Sequence, residues 1–425
     1  MAKKDKKGAK KSEGSFFDDL LKKVGLDIPV ATEVNDIHKT TFFSTGSLML
    51  NALVSSSMNG GLAGNKITAL AGEEATGKTF IALQCIKHFL DEQPTGHVFI
   101  FDSEDDPSKT EAVMKKRGID TSRVHVKFVK TIQEFRQLMI NIIDGYLEQP
   151  VEKRQPMFMV LDSLGNLSTL KELHDTAKGA LNKKGEDVRD MTRTSLIRGL
   201  FRVLTIKLGE ANVPLLITNH TYQTMNPYGA ATTMSGGGGL RYAASTIIYL
   251  TKKKLRDADK DVIGSILTAT LDKSRFTPPG LKADLLLTHA AGLDKYWGLF
   301  EFGLETGILI KGTGVAEKND KSGKKNGIKA NSYKFPDGQI ADRKEIEANP
   351  SMYFDTDINF AAFEEQCAKT FQFGEGQDRP ISDEDEADGE IDIDAAVAAM
   401  QEAFEAVDEA GDAEVEEQPK KKGKK

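Results

Sequence analysis

Apolar residues in this chain gather in short runs that alternate with stretches of helical periodicity. The runs are rich in β-branched, leucine and aromatic residues, and they cover 66–71, 97–102, 157–162, 214–219, 245–250, 265–271 and 283–288. Apolar groups recur at helical spacing between the early runs, at 80–90, 109–117, 131–147 and 190–209. Near-continuous apolar strands joined by helices predict an α/β fold with a mostly parallel sheet buried on both faces.

The pattern changes towards both ends of the chain. Residues 1–14 are lysine-rich and predict a disordered arm, and residues 15–25 predict a short amphipathic helix. After residue 294 the apolar runs shorten, and residues 294–372 predict a small α+β unit. Residues 373–425 form an acidic tail of low complexity, predicted to be disordered.

One apolar stripe interrupts that tail at residues 393–407. Val397, Met400, Phe404 and Val407 lie three or four residues apart, on one face of a predicted helix. Such a stripe docks on a partner or on the protein itself, or it is a lone nascent helix, and the sequence favours the last slightly.

Composition excludes several classes of protein. The 425 residues are 39% apolar, which allows a large core, and no apolar run approaches the roughly 20 residues of a membrane span. The lysine-rich N-terminus has no apolar segment of the secretory type. Cys85 and Cys367 are the only cysteines, which predicts neither disulfides nor a zinc site. We therefore expect a cytoplasmic protein.

Charge is segregated along the chain, so the net charge of −7 is misleading. Residues 381–417 contain sixteen Asp or Glu and no Lys or Arg, so the rest of the chain carries +9. A basic body suits a polyanionic partner, and an acidic tail suits modulation of that contact or simply solubility.

The segment GEEATGKT follows the first apolar run and matches the phosphate-binding loop G-x-x-x-x-G-K-[ST] in full. Its predicted strand–loop–helix context lets backbone N–H groups surround nucleotide phosphates at a helix N-terminus. Lys78 would neutralise the β- and γ-phosphates, and the Thr79 hydroxyl would bind Mg²⁺. The predicted nucleotide-binding residues are Gly72, Glu73, Glu74, Ala75, Thr76, Gly77, Lys78 and Thr79.

Polar residues that end the later strands extend this site. Because ligands of parallel sheets sit at the carboxyl ends of the strands, Asp162, which ends the run MFMVLD, predicts a residue that holds Mg²⁺ through water. Glu104 follows the run HVFIFD and is the candidate to orient and deprotonate an attacking water. His220 follows the run PLLITN and could read the γ-phosphate.

A long glycine-rich segment, 221–244, follows His220 and contains four consecutive glycines, Gly236, Gly237, Gly238 and Gly239. Loops of this length inside a compact domain are usually functional, and one beside a phosphate sensor predicts a nucleotide switch. Residues 178–202 are rich in Lys and Arg; Arg198 and Arg202 share a helix face there. That cluster is either a polyanion-binding surface or a solvated helix face.

These landmarks, in this order, resemble the RecA family of recombinases over about residues 43–310. GEEATGKT, FIFDSE, MVLDSLGNL, LLITNH, GGGGLRYAAS and LDKSRFTPPG follow in family order. Closer still, LDSLGNL, DMTRTSLIRGLFRVLT and ITNHTYQT look like the UvsX-type strand-exchange proteins of T-even-type phages, as does a His at position 220.

The resemblance implies a division of the chain. Residues 1–45 would hold a basic arm and an oligomerisation helix, and residues 46–293 a RecA-like ATPase core. Residues 294–372 would form the C-terminal subdomain, and residues 373–425 the acidic tail.

Roles carry over by position. The resemblance implies that Gly72–Thr79 bind ATP, Glu104 activates water, Asp162 supports Mg²⁺ and His220 senses the γ-phosphate. It implies DNA-contacting loops at 170–190 and 222–240, the second followed by Arg241. The arginines of the adjoining helix would also contact DNA; they are Arg193, Arg198 and Arg202.

Two further implications concern neighbouring subunits. Lys273 and Arg275 fall where the family places basic residues that reach the ATP of the next subunit, and Tyr242 falls at an aromatic residue of the subunit interface. There are also departures. The family commonly stacks an aromatic residue on adenine shortly after the catalytic Glu, and DDPSKTEAVMKKRG offers none. Arg275 stands where the family has Lys, a mild change for contacting phosphate.

The leading hypothesis is an ATP-dependent recombinase that forms helical filaments on single-stranded DNA and pairs it with homologous duplex DNA. Its expected partners include a recombination mediator and a single-stranded-DNA-binding protein, and no membrane. The alternatives are a hexameric helicase motor, a DNA-coating protein without turnover, and an ATP-binding signalling module.

Overall fold

The computed structural model describes residues 40–105, 109–177, 192–223, 232–235, 238–256, 260–312 and 331–373, with the single residue 23. These residues belong to one compact unit that ends at residue 375. The predicted arm at 1–14, the acidic tail and its stripe at 393–407 lie outside the described residues, as does the predicted helix at 15–25 apart from residue 23.

The described strands include one at each of the seven predicted apolar runs, some with extensions, and others outside those runs. They are β1 (Phe42–Phe43), β2 (Leu62–Ala63), β3 (Ile67–Gly72), β4 (His97–Asp102), β5 (Val124–Phe128), β6 (Met157–Asp162), β7 (Leu215–Gln223), β8 (Thr232–Met234), β9 (Thr246–Arg256), β10 (Val262–Lys273), β11 (Lys282–Thr288), β12 (Gly292–Leu293), β13 (Ile310–Lys311), β14 (Ser332–Lys334) and β15 (Ile340–Asp342).

The described helices include one at each of the four predicted periodic stretches, and others outside them. They are α1 (Leu48–Ser55), α2 (Lys78–Glu92), α3 (Glu111–Lys116), α4 (Ile132–Leu147), α5 (Leu170–Ala177), α6 (Arg193–Ala211), α7 (Gly238–Ala243), α8 (Leu299–Glu305), α9 (Arg343–Ala348), α10 (Pro350–Phe354) and α11 (Asp357–Phe371). Side chains cap several N-termini, as where the Thr131 hydroxyl accepts from the Glu134 N–H. None of the described helices is long and apolar enough to cross a bilayer.

Ten of the described strands form one sheet in the order β12-β11-β10-β9-β3-β7-β6-β4-β5, with β8 paired to β7. The pairs from β5 across to β9 are parallel, which confirms the predicted mostly parallel sheet. The runs 265–271 and 283–288 instead form antiparallel strands, because short connections rather than helices join β9, β10 and β11. Strand β5, at the edge, has one half-buried residue, Val124, and four exposed residues, so its apolar signal is weak.

Apolar clusters cover both faces of this sheet, as parallel strands require. On one face, Leu70, Phe89 and Phe158 belong to a core that continues through Phe302 into residues 331–373. On the other face, helices α4 and α6 pack together and bury Phe135 and other apolar side chains. Between residues 295 and 309 only Leu299–Glu305 is helical. The boundary at residue 294 stays a prediction.

Candidate functional site

The carboxyl ends of the parallel strands bring the predicted polar residues to one edge of the sheet. Gly72, the end of β3, lies opposite His220 of β7. Asp102, the end of β4, lies opposite Asp162 of β6. Because β6 also pairs with β7, residues from four regions of the sequence meet at this edge.

The segment Gly72–Thr79 forms a tight loop between β3 and α2. Gly77 has φ of 85°, and a Cβ there would also lie 2.7 Å from Leu287 Cδ2, so this position requires glycine. The buried Lys78 side chain folds back over the loop, and its Nζ donates to the carbonyl oxygens of Gly72 (2.9 Å) and Glu73 (2.7 Å). The Lys78 ammonium group is therefore held beside the loop, and the backbone N–H groups of the loop lie just before the N-terminus of α2.

A second lysine reaches the same loop from β9. Lys252 Nζ donates to the Ala75 carbonyl at 2.7 Å. Burial lowers the pKa of Lys78, and the positive charge of Lys252 acts in the same direction, against the carboxylates of Glu104 and Asp162. Sequence analysis missed Lys252, which lies in a run of three lysines that gives no local sign of contact with the loop.

Thr79 and Asp162 offer neighbouring oxygen ligands. Thr79 Oγ1 donates to Asp162 Oδ2 at 2.8 Å, and Thr218 Oγ1 donates to the other carboxylate oxygen. Asp162 is buried. Hydroxyl and carboxylate oxygens are the ligands that Mg²⁺ prefers, together with water and phosphate, so this pair fits the predicted metal. Among the described residues no group of three or more His, Cys, Asp or Glu could hold a metal by itself.

Lys109 is another cation that sequence analysis did not find. Its Nζ lies 2.7 Å from Asp102 Oδ1 and 3.0 Å from Asp162 Oδ2, and all three side chains are nearly inaccessible to water. Burial alone would lower the pKa of Lys109, but the carboxylates of Asp162 and Asp102 raise it above its usual value. The strand ends thus carry a buried ammonium group between two carboxylates.

Glu104 is held by three side chains beyond the end of β4. Its Oε1 atom accepts from Ser163 Oγ at 2.7 Å and from Asn166 Nδ2 at 3.0 Å. The Nε2 atom of His220 lies 3.1 Å from the same oxygen. The predicted water activator and the predicted phosphate sensor are therefore in direct contact.

The strand that carries His220 also contacts the start of the glycine run. Asn219 Nδ2 donates to the Ser235 carbonyl at 2.9 Å, and the Ser235 N–H donates to the His220 carbonyl at 3.0 Å. Gly236 and Gly237 follow at once, and they lie outside the described residues, as do 224–231. A movement of His220 would therefore be transmitted directly to Ser235.

The four glycines differ in their surroundings where the structure describes them. A Cβ at Gly239 would lie 3.0 Å from Ile197 Cγ2 and 3.0 Å from the backbone N of Arg198, so this glycine lets α7 approach α6 closely. At Gly238 the nearest atom to such a Cβ is in the Tyr242 ring, at 3.2 Å. The glycine run therefore leads into a packed contact with the arginine-rich helix.

The three candidate arginines of that helix are not equivalent. Arg193 is half-buried, and its Nη2 donates to the Gly165 carbonyl at 2.9 Å, next to Asn166. Arg198 and Arg202 are exposed one turn apart on α6. The predicted DNA loop at 170–190 is described only as far as Ala177, within helix α5.

The predicted interface residues form a separate cluster. Lys273 Nζ donates to the carbonyl oxygens of Arg241 (2.6 Å) and Tyr242 (3.2 Å), and Arg241 pairs with Asp272 at 2.6 Å. The Tyr242 side chain is 77% exposed. Lys273 lies opposite Ile247, near the beginning of β9, whereas Lys78 follows the end of the neighbouring β3.

Lys273 and the exposed Arg275 therefore do not join the phosphate loop of their own chain.

A cavity of about 580 Å³ opens over the assembled residues. It brings Lys78, Thr79, Glu104, Asp162 and His220 together, and beyond Thr79 it is lined by Phe80, Arg117, Ser265, Leu267, Leu287, Thr288 and His289. A volume of this size falls in the range of small-molecule and cofactor sites.

Comparison with known proteins finds relatives, while no family model matches the chain. A recombination and repair protein of Enterobacteria phage T4 is 30% identical over 263 residues, which cover 62% of this chain and 63% of that protein. Protein RecA of Paracoccus denitrificans is 25% identical over 70% of this chain and 76% of its own length. Protein RecA of Cereibacter sphaeroides is 24% identical over 86% of this chain and 95% of its own length. The aligned part thus spans less than two thirds of the phage protein.

Proposed function

Because this chain is a relative of the RecA-family recombinases, we propose that it is an ATP-dependent recombinase acting in DNA recombination, repair and recombination-dependent replication. It would assemble on single-stranded DNA and pair that strand with homologous duplex DNA. One observation carries the proposal: Lys78, Thr79, Asp162, Glu104 and His220 meet in a single cavity at the carboxyl edge of the sheet. The four-part division into 1–45, 46–293, 294–372 and 373–425 belongs to the same proposal.

The nucleotide would be ATP with Mg²⁺. Backbone N–H groups of the loop and the ammonium groups of Lys78 and Lys252 would neutralise its phosphates. Thr79 and Asp162 would hold Mg²⁺, which supplies positive charge to the phosphate oxygens when it is bound. Lys109 would keep the Asp162 and Asp102 carboxylates together while the nucleotide is exchanged.

Glu104 would take the proton of the attacking water. Its Oε1 atom is occupied by Ser163, Asn166 and His220, which leaves Oε2 as the oxygen available to the water. His220 would contact the γ-phosphate and leave Glu104 as it does so. Since Ser235 is bonded to both Asn219 and His220, this movement would reposition the glycine run.

DNA would bind along the surface formed by the glycine run and helix α6. Arg198 and Arg202 are exposed and would contact DNA phosphates. Arg193 would instead hold Gly165 in place through its hydrogen bond to the Gly165 carbonyl. Arg241 and the four glycines 236–239 would complete the contact. Contacts of this kind recognise the DNA backbone and do not depend on the base sequence, so pairing specificity would come from the DNA bases.

The filament would form by contact of one subunit's cavity with the cluster of Tyr242, Lys273 and Arg275 on the next. Each ATP would then be bound between two subunits, so that ATP binding favours filament assembly and ATP hydrolysis weakens the contact between subunits. A mediator and a single-stranded-DNA-binding protein are the expected partners in loading, and the activity would be cytoplasmic. The acidic tail would compete with duplex DNA for the basic surface.

The deciding experiment is steady-state ATP hydrolysis by the wild type and by Lys78→Ala, each with and without single-stranded DNA at low and high salt. We expect strong stimulation by DNA that is lost at high salt and in the variant. Strand exchange between homologous substrates is then the direct assay. A matched control is Lys344→Ala, which removes an exposed lysine on helix α9, outside the phosphate loop and both predicted DNA-contacting loops.

The other outcomes point to the alternatives. Turnover that ignores DNA would contradict the recombinase and indicate a signalling module. Tight, salt-sensitive DNA binding without turnover would indicate a coating protein. Translocation that unwinds duplex DNA would indicate a helicase motor.

A further inference from the structure

Beyond the phosphate loop, the same cavity has a wall that the proposed chemistry does not use. Phe80 follows Thr79 directly, and its ring is 36% exposed. The guanidinium carbon of Arg117 lies 4.2 Å from the centre of that ring. Both side chains line the cavity that contains Lys78 and Thr79.

Arg117 is placed by local structure at the end of α3. Its N–H donates to the Met114 carbonyl at 3.0 Å, and Gly118 follows with φ of 73°, so the chain turns away immediately. On its other side, Nη1 would lie 3.9 Å from a Cβ at Gly292, the first residue of β12. The guanidinium group thus lies between the Phe80 ring and the start of β12.

The guanidinium group of Arg117 has no carboxylate partner among the described residues. It contacts the Phe80 ring instead. Burial lowers the pKa of the guanidinium group, so part of its hydration is already lost in the folded chain. A planar, weakly hydrated cation over an aromatic ring is a surface on which flat π-systems stack.

The remaining walls suit the same kind of ligand. Leu267 and Leu287 form an apolar floor behind the phosphate loop, where a Cβ on Gly77 would meet both side chains. Ser265, Thr288 and His289 add polar atoms around it. The part of the cavity at the phosphate loop is therefore cationic. The part beyond the loop is apolar, with the planar guanidinium group of Arg117 on one side.

We propose that the guanidinium group of Arg117, supported by the Phe80 ring, is the surface on which the base of the bound nucleotide stacks. The proposal rests on the proposed function, because it assumes a nucleotide with its phosphates on Gly72–Thr79. It also accounts for the missing aromatic residue after Glu104: a guanidinium plane takes the place of a ring. Stacking addresses the face of the base, so purines bind better than pyrimidines, and ATP and GTP are poorly distinguished.

The test separates the base from the phosphates. Binding of ATP, GTP, CTP and inorganic tripolyphosphate, each with Mg²⁺, is measured by calorimetry for wild type, Arg117→Ala, Arg117→Lys and the control Lys116→Ala. Lys116 is the exposed neighbour on the same helix, so its loss changes the net charge equally. For Arg117→Ala we expect affinity for ATP and GTP to fall by about tenfold, with tripolyphosphate unchanged.

Arg117→Lys keeps the charge but loses the plane, and it should fall nearly as far as Arg117→Ala. Lys116→Ala should bind every ligand as the wild type does. Equal losses for tripolyphosphate and ATP in Arg117→Ala would overturn the proposal and assign Arg117 to the phosphates, as would full recovery in Arg117→Lys. If the wild type binds neither ATP nor tripolyphosphate, the proposed function itself fails.

Discussion

The Nε2 atom of His220 lies 3.1 Å from Oε1 of Glu104, although 116 residues separate them in the chain. Ser163 and Asn166 donate to the same oxygen, so one atom of Glu104 is saturated while the other is available. One hydrogen bond therefore joins the proposed phosphate sensor to the proposed water activator, and His220 would have to break it to contact a phosphate. This contact gives the first two predictions.

Replacing Glu104 by Gln should separate hydrolysis from binding. The amide cannot take a proton, so ATP turnover in the presence of DNA should fall by about 10²- to 10⁴-fold. ATP binding should persist, since Lys78 and Thr79 are untouched. Turnover and nucleotide affinity are measured in parallel, with Glu111→Gln as the control at an exposed carboxylate on helix α3. Turnover near the wild-type rate would remove Glu104 from the mechanism.

Replacing His220 by Ala should uncouple nucleotide from DNA. ATP affinity should change little, while the gain in DNA affinity that ATP produces should disappear, because no side chain then links the γ-phosphate to Ser235. His220→Gln keeps a hydrogen-bonding group and should retain part of the gain. DNA binding is measured by fluorescence anisotropy with ATP and with ADP. An unchanged ratio of the two affinities in His220→Ala would contradict the switch.

Replacing Lys109 by Met should destabilise the fold strongly. The substitution leaves the Asp102 and Asp162 carboxylates buried without their shared cation, and losing one partner of a buried ion pair costs about 3–5 kcal/mol. Lys115→Met is the control, since it breaks only a solvent-exposed pair with Glu111, which contributes little to stability. Urea unfolding gives both free energies. Similar losses in the two variants would show that the buried cation is dispensable.

Two helical glycines, one packed and one open, should respond in opposite directions to replacement by alanine. Gly239→Ala places a Cβ 3.0 Å from Ile197 and Arg198, which should push α7 away from α6 and cost about 1–3 kcal/mol. Gly209→Ala adds a methyl group to α6 with nothing within 4 Å, and it should stabilise the helix by about 0.5–1 kcal/mol. Thermal unfolding of both variants checks the signs. If both are stabilising, the packing at Gly239 is looser than the structure indicates.

Stability should fall as pH is lowered below about 6.5, the ordinary pKa of a histidine. Burial lowers the pKa of His88, assisted by the charges of Lys87 and Lys295 and opposed by Asp91. The folded chain therefore binds a proton on His88 less readily than the unfolded chain, so protonation favours unfolding as pH falls from the unfolded pKa to the folded one. In His88→Gln this part of the pH dependence should disappear, as measured by the denaturation midpoint from pH 5 to 8. A profile identical to the wild type would exclude His88 as its source.

The sequence by itself determined the buried strands of the sheet and the glycine-containing loop between β3 and α2. Strands β4 and β6 begin and end where the apolar runs predicted, because burial on both faces leaves an unbroken apolar signal in the chain. Gly77 and Lys78 were identifiable because backbone geometry at a phosphate loop restricts residue type locally.

Only the tertiary structure decided which distant residues share the site. Lys109, Lys252 and Arg117 lie in ordinary lysine- and arginine-containing stretches, and nothing in those stretches marks one basic residue as buried or aimed at the loop. The order of strands sets which of them meet Asp162 or Phe80, and that order follows from packing across the whole sheet. Local periodicity indicates whether a residue faces the core. It carries no information on which residue it contacts there, because that residue comes from another part of the chain.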